Sequence, residues 1–164
     1  WNNLAMIAAD DGRWADARSA AEGSRARCGS ESMEIAETWE VLLRCRLAAG
    51  DDACAREALA ELDRLATGAE RSLAVRASTR FMGPAEAAKT LEAILAEGIG
   101  DPYDQCKTEL ALAAATRAQG DVEAAAELER RADEMLASLG ADPALERSRV
   151  GPVVLASELA PDGP

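Results

Sequence analysis

The stretch WEVLLRCRLAAGDDACA, residues 39–55, holds the pattern that decides the fold. Trp39, Leu42 and Leu43 recur at helical spacing, Gly50 interrupts them, and Asp51 opens a second run rich in alanine. A glycine at such a point supplies the left-handed backbone that ends one helix and turns the chain back. An aspartate straight after it suits the start of the next helix, where its carboxylate meets unpaired backbone N–H groups.

The same punctuation returns along the chain: DDGRW around Gly12, FMGPA around Gly83 and AQGDV around Gly120. The four glycines stand 38, 33 and 37 residues apart. Eight residues before each is a large aliphatic (Leu4, Leu42, Val75, Leu112), and five after each is an alanine (Ala17, Ala55, Ala88, Ala125). Trp1 and Trp39 stand eleven before the first two, and Asp51, Pro84 and Asp121 follow their glycines as helix starters. The spacing predicts helices over 1–11, 14–27, 31–49, 52–67, 69–82, 84–97, 102–119 and 121–139. GIGDP, residues 98–102, is a break before the fourth pair. Beyond Ala141 the expectation is a short capping helix near 143–149, an apolar stretch over 150–160 able to pack, and a disordered end.

Composition agrees with an all-α chain. Alanine, leucine, glutamate and arginine dominate, all strong helix formers, and aromatic residues are only 3%. No run alternates with β-branched enrichment as a strand would. Thin alanine side chains suit repeated close stacking better than one large core.

W-x-x-L, a glycine turn, then alanine on the following helix resembles the tetratricopeptide repeat. Trp1–Leu4–Gly12–Trp14–Ala17 matches best, then Trp39–Leu42–Gly50–Ala55–Leu59, then Leu112–Gly120–Ala125–Ala132. The unit around Gly83 departs most, with Ser72 where the tryptophan would stand. The resemblance covers about residues 1–140, as units near 1–29, 30–67, 68–100 and 101–140, leaving 141–164 as cap and tail. It implies a right-handed superhelical stack of about four antiparallel helix pairs, an α-solenoid in which each pair buries its apolar stripe on the next.

The resemblance also implies a site, because first helices line the concave face where the family takes peptides. With the glycines setting register, the groove residues are Asn2 and Met6, then Glu40, Arg44 and Leu47. The third unit offers Leu73, Ala77, Arg80 and Phe81, and the fourth Leu110, Ala114 and Arg117. Arg44, Arg80 and Arg117 fall 36 and 37 residues apart and would form a basic ladder for an acidic or carboxylate-ended segment. The alternative is that each arginine pairs with a nearby carboxylate on a solvated face. The Asn/Lys pattern of family members that bind chaperone tails is missing.

Chemistry is expected to be absent. There is no histidine, hence no common general base and no mixed zinc site, and no glycine-rich phosphate loop. Carboxylate pairs such as Asp51/Asp52 and Glu127/Glu129 read as caps or solvated faces. No cofactor or metal is expected, and the chain is read as a non-catalytic protein-interaction module. A scaffold that self-associates or packs on a neighbouring domain is the alternative, and a small-molecule sensor a third reading. The net charge of −12 argues against nucleic acid and anionic membranes as partners. The four cysteines, Cys28, Cys45, Cys54 and Cys106, form no C-x-x-C pair and read as reduced thiols of a cytoplasmic protein. Cys45 and Cys54 could instead face each other across the Gly50 turn as a disulfide. Trp1 already lies inside a helical pattern, so the sequence reads as part of a longer protein. In style and composition it resembles the repeat regions of large bacterial signalling proteins.

Overall fold

A computed structural model describes residues 2–27 and 33–150; Trp1, Cys28 and the stretch 151–164 lie outside the described residues, as does the expectation of a packed and then disordered tail. The described residues are helical without strands. They divide into two compact units, 1–77 and 78–164. The first holds α1 (Asn2–Asp10), α2 (Trp14–Arg25), α3 (Met33–Ala48), α4 (Asp52–Leu65) and, after a short 3-10 turn, α5 (Arg71–Ser78), which runs to the boundary. The second opens with a 3-10 turn, Thr79–Phe81, and continues with α6 (Pro84–Glu97), α7 (Pro102–Ala118), α8 (Val122–Ser138) and α9 (Pro143–Val150). Among the described residues no helix is long and apolar enough to cross a membrane.

The turns follow a common chemistry. Gly12, Gly50 and Gly120 adopt φ of 71°, 71° and 93°, and the residue after each returns its N–H to a carbonyl five residues back. At the second turn Gly50 N–H reaches Leu47 O at 3.0 Å and Asp51 N–H reaches Arg46 O at 2.9 Å. These bonds satisfy carbonyls that a helix end leaves open. Asp51 then accepts from Cys54 N–H at 3.1 Å and Asp121 from Ala124 N–H at 3.0 Å, each opening the next helix. One aspartate thus closes a helix with its backbone and starts another with its side chain.

Gly83 corrects the sequence reading. Its φ and ψ are −66° and 157°, an extended conformation rather than a left-handed one. Pro84 is the reason, because a proline ring excludes helical backbone from the residue before it. The expected helix over 69–82 is also shorter: it stops at Ser78, tightens into the 3-10 turn, and Met82 is already extended. Gly83→Ala should therefore change stability by no more than about 0.5 kcal/mol, since a Cβ there meets nothing. Gly120→Ala should cost about 1–2 kcal/mol through its positive φ. Urea unfolding of the two variants separates them.

Packing in the first unit rests on alanine. Ala5, Ala8 and Ala9 of α1 meet Ala17 and Ala21 of α2 and Val41, Leu42 and Cys45 of α3. The α1 helix lies against both α2 and α3, and α3 lies against α4. Trp39 packs against this cluster with the Arg25 guanidinium 5.2 Å from its ring centroid. In the second unit α7 lies against α6, α8 and α9, with Cys106, Leu110, Ala132 and Leu136 forming a core cluster. All four alanines placed five residues after the glycines are buried, as the stacking argument requires. Of the aliphatics eight before, Leu42 and Leu112 are buried and Val75 is half-buried, but Leu4 is 58% exposed.

Candidate functional site

In the first unit the groove candidates gather on α1 and α3. Asn2 lies in α1, Met6 is half-buried against the alanine cluster, and Leu47 is half-buried near the end of α3. Arg44 is the central charge. Its Nη2 lies 3.4 Å from Asp10 Oδ1 and its Nη1 lies 3.9 Å from Glu40 Oε2. The three side chains are only 11%, 8% and 17% exposed, so this is a largely desolvated cluster tying α1 to α3. Asp10 escaped the sequence reading because it sits in a turn motif. The clue was its separation of 34 residues from Arg44, one usual repeat length.

Leu73 is half-buried on α5, and Ala77 is buried. In the second unit Phe81 is half-buried in the 3-10 turn. Arg80 donates from Nη2 to the backbone carbonyls of Arg149 and Val150, at 3.4 and 3.3 Å, so it meets the C-terminal end of α9. Leu110, expected on a groove, is 3% exposed and belongs to the core cluster between α7 and α8. Ala114 is half-buried. Arg117 is the accessible one of the three arginines, 45% exposed and 2.7 Å from Glu129 Oε1. Each arginine of the ladder thus has acceptors within its own unit.

Among the described residues no cysteine carries an activated thiol. Cys45 is buried in the alanine cluster and its thiol is pushed up by burial. The Cys54 thiol is pushed up by its bond to the Asp51 carboxylate, and burial raises Cys106. Cys45 and Cys54 are free, the first turned toward α1 and α2 and the second toward the cap of its own helix. Beside Cys45 a cleft of about 360 Å³ opens between α2 and the end of α3, lined by Trp14, Arg18, Glu22, Arg46 and Asp51 among others. Arg18 is held there by Glu22 at 2.9 Å. Arg46 donates to the Cys54 carbonyl and Asp51 caps α4, so the cleft's polar groups serve the fold.

A polar cluster, buried at Glu146 and exposed at Arg147, joins α7, α8 and α9. Glu146 bonds to Arg149, Asp133 bonds to Arg147, and Tyr103 stands beside Glu146. Burial first, and then the Glu146 carboxylate, push the Tyr103 phenol up to about 12. Folding therefore favours the protonated phenol. That contribution is intact below the ordinary value of about 10 and is lost as pH rises from there toward 12. Tyr103 is the single tyrosine of the chain, so the rise in absorbance at 295 nm with pH, above the constant background of the three tryptophans, reads it alone. At pH 10 the folded protein should show little phenolate, whereas the chain in urea should be about half ionised.

Comparison with protein-family models, with curated proteins and with solved structures finds no match. The functional reading rests on the chain's own geometry.

Proposed function

We propose that the chain is a non-catalytic protein-interaction module, a tetratricopeptide-like solenoid of antiparallel helix pairs that holds a partner's peptide segment on its first helices. The observation that carries this reading is the packing of α1 against α3 as well as α2. First helices of successive pairs are then neighbours, and on this reading Met6 of α1 and Glu40, Arg44 and Leu47 of α3 line the groove. Arg117 extends the same residue types into the second unit, where it is exposed enough for a partner carboxylate to compete with Glu129. We read the parent as a bacterial regulatory protein of the cytoplasm, with this segment as its docking part.

The desolvated setting of Arg44 decides how the reading is tested. Reversing its charge would set a third carboxylate against Asp10 and Glu40 and unfold the unit, so Leu47→Glu with Arg117→Glu is the better probe. In a pull-down from bacterial lysate this variant should lose a protein that the wild type retains, while Arg64→Glu on the exposed side of α4 should keep it. Equal retention by all three would remove the groove reading.

One observation favours the self-association alternative. Leu4 and Ile7, one turn apart on α1, are 58% and 52% exposed. A second copy or a neighbouring domain seated on α1 would cover them. Sedimentation velocity at high concentration separates the two occupants: a dimer abolished by Leu4→Glu/Ile7→Glu supports a second copy, and a monomer excludes it.

A further inference from the structure

The end of α9 lies on Arg80 and on the core cluster that holds Leu110, two of the second unit's residues that sequence register assigns to partner binding. The Val150 side chain packs against the cluster of Cys106, Leu110, Ala132 and Leu136. Its carbonyl, with that of Arg149, accepts from Arg80. We propose that α9 is a releasable strap, an occupant supplied by the chain itself, which yields this surface to a carboxylate-ended peptide segment. The proposal rests on the interaction-module reading and names what regulates it.

Three features make α9 easy to release. It is eight residues long, too short to persist as a helix without its contacts. It docks mainly through polar groups, with Leu145 left 41% exposed. Two of those groups are imperfectly matched: Glu146 is 2% exposed, yet its Oε2 has no hydrogen-bond partner among the described residues, and Asp133 Oδ1 is in the same position. Buried carboxylate oxygens left unbonded give back part of what docking gains. Segments held this way belong to the low-stability end of a fold and open without global unfolding. The occupant's acceptors at Arg80 are neutral carbonyls. A peptide α-carboxylate is charged and bonds a guanidinium more strongly than those carbonyls do.

The test uses the full chain with Arg147→Glu, which replaces the Arg147–Asp133 attraction by repulsion at a largely exposed position, and Leu145→Glu as a control on the outer side of α9. Amide hydrogen exchange in α9 should quicken about tenfold in Arg147→Glu alone, with α7 and α8 unchanged. A fluorescent peptide of residues 141–150 with a free carboxylate should bind Arg147→Glu about tenfold more tightly than wild type. Adding Arg80→Gln should abolish that gain. Exchange of α9 in step with α7 and α8 would overturn the strap, and so would a peptide that gains nothing from the opened variant. Neither measurement involves an outside partner, so this outcome is separate from that of the pull-down.

Discussion

Arg44→Met is expected to destabilise the first unit by about 3 kcal/mol, more than any surface arginine of the chain. The guanidinium is the cation shared by Asp10 and Glu40, and all three side chains are more than four-fifths buried. Removing it takes the shared cation away from two carboxylates that sit in a poorly solvated place. The charge account carries its own control. Neutralising the acceptors as well, in Arg44→Met/Asp10→Asn/Glu40→Gln, should recover most of the loss, because a buried ion cluster replaced as a whole costs little. Urea unfolding followed by circular dichroism measures both. A triple variant as weak as the single one would mean that Arg44 matters through its packing. Arg130, an exposed arginine with two glutamate partners, supplies the comparison: Arg130→Ala should cost no more than about 1 kcal/mol.

The second large effect concerns one repeat position with two environments. Leu42→Ala should cost about 3 kcal/mol, since Leu42 is fully buried among alanines that have little side chain to move into the space. Leu4→Ala, at the equivalent position before Gly12, should change stability by no more than about 0.5 kcal/mol, because Leu4 already faces solvent. If Leu4→Ala proved as costly as Leu42→Ala, the outer side of α1 would be covered in solution, and the self-association reading would gain.

That contrast also marks what could be read in the sequence. Glycine turns, aspartate caps and buried alanines are local or periodic properties, so Gly12, Gly50, Gly120, Asp51, Asp121 and the four alanines were all legible. The extent of α6, residues 84–97, and a short helix near 143–149 were legible for the same reason. Whether a periodic apolar residue is buried depends on a neighbour that periodicity cannot supply, and Leu4 shows the difference. Gly83 was misread because the proline after it overrides the glycine's freedom. The arginines are a subtler case. Their spacing placed them at matching steps of the chain, but a guanidinium finds its acceptor in three dimensions. Arg44 found Asp10 and Glu40, Arg117 found Glu129, and Arg80 found two carbonyls seventy residues on or nearly so. Only Glu40, four residues from Arg44, could have been paired by helix spacing alone.

The claim that the first helices of the first unit receive a partner is tested most directly by photocrosslinking. A benzophenone amino acid is placed either at Leu47 on α3 or at Arg64 on the exposed side of α4, and the full chain is irradiated in lysate. The account predicts a discrete adduct with another protein from position 47 and none from position 64, with the crosslinked partner peptide rich in carboxylates. Equal adducts from both positions, or adducts only between copies of the chain, would contradict it.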